Sequence, residues 1–185
     1  GGGNTSVKLR DTSLAAGADL LFVKGSGSDL AKVGPTDFTP LRLRELELDE
    51  GDVLVGTAIT DGNCDVMLFS SEGKTARFQE AEVRAMGRTA RGVRGIRLRE
   101  GHMMISLVIP KPGGRVLTVS ENGYGKRTYT EDFPCKGRGN KGVIAMSTSR
   151  RNGKLVGAVQ VFDGDELMLI SNQGTMVRTR TDEVP

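Results

Sequence analysis

The sequence predicts an all-β fold in which four-stranded antiparallel blades repeat along the chain. Three observations support this prediction. A turn glycine recurs about every fifty of the 185 residues, at Gly27, Gly73, Gly123 and Gly174. Apolar and polar residues alternate on both sides of these turns, which is typical of strands. Helix signals are nearly absent, and the best candidate is a short stretch at 78–86. Such a period indicates a propeller-like array whose units bury their faces against their neighbours.

Each unit opens with an apolar strand, a turn and a second strand that carries basic residues. The hairpin is clearest in three copies, at 66–78, 116–128 and 167–179, and a worn copy lies at 20–27. A Gly/Arg loop and two further strands follow each hairpin. We place these strands at 95–99 and 103–109 in one unit, and at 142–147 and 155–161 in the next.

The repeats divide the chain into parts of one β-domain, a β-pinwheel. The parts are an unassigned segment at 1–18, an irregular blade at 19–64, blades at 65–114 and 115–165, and the start of a further blade at 166–185. Residues 1–18 match no part of the repeat. Because about three and a half blades cannot close a ring, we expect the domain to be incomplete in this chain.

The residue types argue against several kinds of site. The two cysteines, Cys64 and Cys135, lack CxxC spacing, and His102 is the single histidine. A zinc site or a Ser/His/Asp triad would depend on that one imidazole, which we interpret as a turn residue. Six Phe, two Tyr and no Trp disfavour a base-stacking surface for single strands. With no membrane-length apolar run and no signal peptide, we expect a soluble cytoplasmic protein with reduced thiols.

The charge is unevenly distributed. Residues 1–64 hold 6 basic and 10 acidic groups, whereas residues 65–185 hold 20 basic and 13 acidic groups. Two stretches without acids carry the clustered basic residues: Arg84, Arg88, Arg91, Arg94, Arg97 and Arg99 in the first, and Lys136, Arg138, Lys141, Arg150, Arg151 and Lys154 in the second. A solvated surface normally mixes both signs, so these blocks predict a polyanionic partner.

Three long strings, at 84–98, 122–128 and 151–161, resemble the C-terminal domain family of the bacterial DNA gyrase A protein. The likeness is close over 60–185 and looser over 20–59. It implies a β-pinwheel whose basic rim binds and bends duplex DNA. It also implies that no catalytic residue and no cofactor site lie in this chain. ATP and Mg²⁺ would bind elsewhere in a holoenzyme, a heterotetramer that contains the rest of the gyrase A protein together with the gyrase B protein.

The family carries a basic heptad of the type Gln-Arg-Arg-Gly-Gly-Lys-Gly in its first blade. That heptad is absent here, which implies that the first blade is missing. Weaker versions of the loop stand at 87–95 and 135–142. In both, glycines between basic residues allow the backbone to approach a phosphate and offer its N–H groups.

By match of position and by charge we predict a set of DNA-contacting residues. The set is Arg84, Arg88, Arg91, Arg94, Arg97, Lys126, Arg127, Lys136, Arg138, Lys141, Arg150 and Arg151. Equivalent second-strand positions add three weaker candidates, Arg77, Arg178 and Arg180.

Other functions stay open on the sequence. The basic loops would also suit an acidic protein segment, and two further alternatives are the related topoisomerase IV type of domain and a structural remnant without a partner. A nucleotide site at Gly73-Lys74-Thr75 is disfavoured, because Leu68 stands where a P-loop needs glycine. Tyr124 lies in a repeated turn, and we interpret it as a residue that packs on its blade or stacks near the rim.

Overall fold

The computed structural model of the chain describes residues 5–10, 19–26, 52–86 and 92–185, the first two ranges as backbone alone. These residues form thirteen strands: β1 (Thr5–Arg10), β2 (Asp19–Ser26), β3 (Asp52–Thr60), β4 (Asp65–Ser70), β5 (Lys74–Gln79), β6 (Val93–Arg94), β7 (Met104–Val108), β8 (Arg115–Ser120), β9 (Gly125–Tyr129), β10 (Val143–Ile144), β11 (Leu155–Val161), β12 (Glu166–Ile170) and β13 (Met176–Arg180). In the same ranges, short 3-10 turns follow three second strands, at Glu80–Glu82, Thr130–Asp132 and Thr181–Glu183.

The strands form antiparallel sheets, with strand orders β3-β2-β1-β6, β10-β5-β4-β7, β11-β8-β9 and β12-β13. One edge of the first sheet is β3, one edge of the second is β7 and one edge of the third is β11. Strand β7 contacts both β3 and β11. We call this the inner edge and the opposite edge, where β6 and β10 lie, the outer edge. The predicted all-β, propeller-like fold is confirmed.

The outer strand of a sheet comes from the following unit. In β10, Val143 pairs with Thr75 and Ile144 with Lys74 of β5, and β6 pairs in the same way with β1. The predicted strand at 95–99 is therefore wrong: the strand lies at 93–94, and residues 95–99 make only one isolated bridge, from Ile96 to Asn140. Since the exchanged strand satisfies the edge of the preceding sheet, it links consecutive units.

The other differences from the predicted elements are local. The helix candidate at 78–86 contains a single 3-10 turn, and the strand predicted at 142–147 is confined to β10. In the unassigned segment 1–18, β1 pairs with β2 and takes the position that β5 holds in the next sheet. In the first sheet, the strand at this position therefore precedes the worn hairpin copy in the sequence and does not follow it.

The core lies on both faces of β4. Val66 and Leu68 pack with Phe78 on one face, whereas Met67 and Phe69 pack on the other with residues of the following unit. The Phe69 ring meets that of Phe133 edge to face, with 6.4 Å between centroids. Because the strand is covered on both sides, its sequence is a continuous apolar run. The hydrophobic burial therefore joins neighbouring sheets.

None of the helical segments in the described residues has the length and apolar character that crossing a bilayer requires.

Candidate nucleic-acid interface

Residues 136–142 form a loop that projects from the outer edge of the second sheet. The loop leaves the edge where Cys135 bridges Arg77 and returns where Val143 pairs with Thr75. We call it the outer loop.

Glycine and asparagine shape the outer loop. Gly142 has φ +73°, and a Cβ there would lie 2.6 Å from the Thr75 carbonyl oxygen, so only glycine fits. Within the loop, the Asn140 amide donates to the Gly137 carbonyl at 2.5 Å, and its oxygen accepts from the Gly142 N–H at 2.6 Å. These side-chain bonds give the loop a defined shape without a regular ladder.

The outer loop lies directly against the basic segment of the preceding unit, at 92–97. The Gly139 N–H donates to the Gly95 carbonyl at 2.5 Å, and the Arg97 N–H donates to the Asn140 carbonyl at 2.8 Å. Two basic segments about forty residues apart in sequence thus share one surface.

This shared surface carries unneutralised positive charge. Arg94 and Arg97 from one unit and Lys136 and Lys141 from the next are exposed. Within 52–86 and 92–185, none of the four has an ion-pair partner. Like charges placed together on an outer edge attract a polyanion.

Arg138 is exposed on the same loop, but its guanidinium is partly engaged. Its Nε donates to the Glu82 carbonyl at 3.0 Å, and one terminal nitrogen lies 3.4 Å from the Arg94 carbonyl. The remaining N–H groups have no partner among the described residues. Arg84 is exposed beside the 3-10 turn, while the predicted residues Arg88 and Arg91 lie outside the described residues.

Arg127, one of the predicted DNA-contacting residues, instead contacts the C-terminal residues of the following unit. Its side chain is only 11% exposed, and Nε donates to the Val184 carbonyl at 2.7 Å, while a terminal nitrogen lies 3.4 Å from Asp182. We therefore leave Arg127 out of the proposed interface. The adjacent Lys126 is exposed and has no ion pair in the described part of the chain.

Arg77 occupies the equivalent position one unit earlier. It pairs with Asp65 at 2.7 Å and donates to the carbonyls of Thr130 at 2.7 Å and Phe133 at 3.0 Å. In the last unit Arg178 pairs with Glu166 of its own hairpin. The second-strand arginines Arg77 and Arg127 therefore hold the 3-10 turn of the following unit.

The Arg150–Arg151 turn packs on the hairpin turn of its own unit. Arg151 Nε donates to the Tyr124 hydroxyl at 3.0 Å, with the guanidinium 5.1 Å from the ring centroid, and this hydrogen bond raises the pKa of Arg151. Arg150 is exposed and unpaired within the described ranges. Tyr124 is thus a packing partner, and this turn is a second basic position, separate from the outer loop.

Among the described residues, one cluster brings potential metal ligands together. Asp61, Cys64 and Glu80 each offer an atom within 4.8 Å of the others. Their hydrogen bonds close the turn between two strands, because Glu80 accepts from Thr60 at 2.5 Å and Asp61 accepts from the Cys64 thiol at 3.2 Å. Burial raises the pKa of the Cys64 thiol, which opposes the thiolate form that a metal needs.

Sequence reasoning overlooked two residues that shape the surface, Asn140 and Glu82. Asn140 was detectable as the one residue of its loop whose side chain offers both a donor and an acceptor. Glu82 was detectable through the repeat, because Asp132 and Glu183 close the 3-10 turns at equivalent positions.

Comparison with known proteins identifies the family. A family model described as DNA gyrase C-terminal domain, beta-propeller, matches residues 65–111, 114–161 and 165–185, more than half of the chain. The DNA gyrase A protein of Pseudomonas aeruginosa is 61% identical over 139 residues, which cover 75% of this chain and 15% of that protein. The DNA gyrase A protein of Escherichia coli K12 is 47% identical over 167 residues, covering 89% and 19%. The chain thus spans less than a fifth of either relative.

Solved structures agree with this match. A structure of a DNA gyrase A C-terminal domain superposes with a TM-score of 0.76 at 29% identity, covering 93% of this chain and 58% of that one. A C-terminal domain of DNA topoisomerase IV gives a TM-score of 0.78 at 22% identity, covering 96% and 56%, which supports the fold alone. The resemblance predicted from the sequence is confirmed: the chain belongs to the DNA gyrase C-terminal domain family of β-propellers.

Proposed function

We propose that this chain binds duplex DNA without regard to sequence and bends it along the outer edge of its sheets. The observation that carries the proposal is the shared surface of residues 92–97 and the outer loop, where four exposed cations lack ion-pair partners among the described residues. The glycines between these cations allow the backbone to approach a phosphate closely. The Gly139 and Gly142 N–H groups are bonded within the surface, so the side-chain cations supply the contacts.

The sheet arrangement favours bending. Strand β7 contacts both β3 and β11 at the inner edge. We infer from this packing that the outer edge is the convex side of the array. Phosphate contacts that recur along a convex surface bend a duplex toward that surface. Proteins that wrap DNA without contacting its bases use such contacts. Strands β6 and β10 hold equivalent positions at the outer edges of consecutive sheets, and we expect the basic segments that precede them in sequence to recur along this edge.

We further propose that the chain acts as the C-terminal part of a DNA gyrase A protein. There it would present a bent duplex to the cleavage core formed with the gyrase B protein, and support ATP-dependent negative supercoiling by the heterotetramer. ATP, Mg²⁺ and the catalytic residues would be contributed by the other parts of that assembly, and we assign no cofactor to this chain.

Salt dependence tests the proposal directly. Binding to a short duplex is measured by fluorescence anisotropy across a range of salt concentrations. The logarithm of the association constant should fall steeply with the logarithm of salt, by about 0.9 per neutralised phosphate. Replacing Arg94, Lys136 and Lys141 together by Ala should flatten the slope by up to about three phosphates and weaken binding to all sequences alike.

A matched control removes one charge elsewhere. Lys111 is exposed and lies outside both basic stretches and the predicted contact set. Lys111→Ala should leave the slope nearly unchanged, whereas Lys141→Ala should flatten it by about one phosphate. Equal slopes for these two single variants would reject the shared surface as the contact. No DNA binding at low salt, with tight binding of an acidic peptide instead, would favour the protein-binding alternative.

A further inference from the structure

The carboxylate of Glu82 lies beside the predicted phosphate path, although a negative charge there opposes DNA binding. Glu82 ends the 3-10 turn of one unit and is exposed. We propose that Glu82 is a positioning residue that holds the outer loop of the following unit in its DNA-binding form. This inference rests on the proposed function.

Glu82 contacts the outer loop through two different groups. Its carboxylate Oε2 accepts the Arg138 backbone N–H at 3.0 Å, and its backbone carbonyl accepts Nε of the Arg138 side chain at 3.0 Å. Arg138 is thus held at both its backbone and its guanidinium by one residue of the preceding unit. These contacts fix the middle of the loop, between its two attachments to β5.

The sequence of the loop is adapted to this contact. A Cβ at Gly137 would lie 3.3 Å from Glu82 Oε2, tighter than most contacts of that kind, so a larger residue would push the carboxylate away. Next to Arg138, the Gly139 N–H bonds to Gly95 at 2.5 Å, which brings the loop against the preceding basic segment. Glu82 therefore acts at the point where the two basic segments join.

The charge and the geometry of Glu82 predict opposite effects on DNA affinity. If only charge mattered, removing this carboxylate would strengthen binding, because a like charge near the phosphates would be lost. If the carboxylate positions the loop, its removal frees the Arg138 backbone. The loop then loses more conformational entropy when DNA binds, and the affinity falls. The sign of the effect therefore separates the two explanations.

The repeat supplies a matched control. Asp132 is the equivalent residue of the next 3-10 turn and is exposed, and its side chain has no hydrogen bond or ion pair in the described part of the chain. Replacing Asp132 by Ala removes the same charge without releasing a loop.

The experiment measures duplex DNA affinity at fixed salt for the full chain and three variants. Glu82→Ala should bind about fivefold more weakly than the unmodified chain, from loss of a charge-assisted hydrogen bond. Glu82→Gln keeps an oxygen acceptor for the Arg138 N–H and should bind at least as tightly as the unmodified chain. Asp132→Ala should bind equally or more tightly. In the free protein, the Arg138 amide proton should exchange with solvent faster in Glu82→Ala.

The outcomes separate this inference from the proposed function. Tighter binding by both Glu82 variants, with unchanged Arg138 exchange, would overturn the positioning role and leave DNA binding intact. Absence of salt-dependent DNA binding by the unmodified chain would reject the proposed function itself. The exchange measurement would then still report whether Glu82 holds the loop. Thermal unfolding of each variant checks that affinity is compared between folded proteins.

Discussion

The Arg77 side chain joins the second sheet to the unit that follows it, and its removal gives a sharp test of how the array is held together. The Arg77 side chain is 18% exposed, and its guanidinium binds the Asp65 carboxylate and the carbonyls of Thr130 and Phe133. Replacing Arg77 by Ala leaves all three acceptors without this donor. Asp65, whose side chain is 23% exposed, also loses the cation that pairs with its carboxylate.

The expected loss of stability follows from these contacts. A hydrogen bond to a charged group contributes about 1.5–3 kcal/mol, and breaking a largely buried pair costs about 3–5 kcal/mol. Because both side chains keep some exposure, water replaces part of what is lost. We expect Arg77→Ala to lower the free energy of unfolding by about 3 kcal/mol. Arg77→Lys should recover only a minor part, since an ammonium lacks the planar fork.

Urea unfolding followed by far-UV circular dichroism measures this change. With a slope of about 2 kcal/mol/M, the midpoint should fall by about 1.5 M. Arg178→Ala is the matched control, because Arg178 holds the equivalent position, is 68% exposed, and pairs only with Glu166 among the described residues. Its loss should stay within about 0.5 kcal/mol, as for exposed ion pairs. Equal midpoint shifts for the two variants would refute the claim that Arg77 couples neighbouring units.

Two further predictions concern the outer edge. Burial and the nearby Asp65 carboxylate raise the pKa of the Cys135 thiol. In a Cys64→Ser variant, Cys135 is the single thiol that iodoacetamide can alkylate. The alkylation rate should reach half its maximum at a higher pH in the folded chain than in the urea-unfolded chain. Coincident pH profiles would contradict this, since a raised pKa lowers the thiolate fraction at any given pH. Gly142→Ala places a Cβ 2.6 Å from the Thr75 carbonyl oxygen at φ +73°, and it should destabilise the chain by about 2 kcal/mol or more in the same urea assay. Gly113→Ala has φ +77° but open space around the Cβ, and should cost less.

The hairpins and their period were predictable because each hairpin carries its own signal. The turn glycine, the alternation and the apolar first strand all lie within about fifteen residues of each other, and β4–β5, β8–β9 and β12–β13 form where the repeats predict them. The exchanged strands were not predictable in the same way. A two-residue strand such as β10 has no periodicity, and its partner β5 belongs to another unit.

Arg127 and Lys126 were both predicted to contact DNA, although their side chains have different surroundings in the fold. The two basic residues are adjacent in sequence, but along a strand adjacent side chains point to opposite faces. Lys126 therefore faces solvent, while Arg127 faces the following unit. The recurrence of arginine at Arg77, Arg127 and Arg178 was a signal of a structural contact, because the loop charges vary between the three clear hairpin copies and this position does not.

Two kinds of inter-unit bond run in opposite directions along the array. Arg77 reaches forward to the next 3-10 turn, whereas β10 and Arg138 reach back to the preceding unit. The outer loop is consequently held by the preceding unit, and the packing of the two units fixes its place beside the basic segment at 92–97. DNA binding without base contacts relies on such fixed spacing, because an ordered loop loses little entropy when a phosphate binds. The packing that stabilises the fold therefore also sets the path along which a duplex would bend.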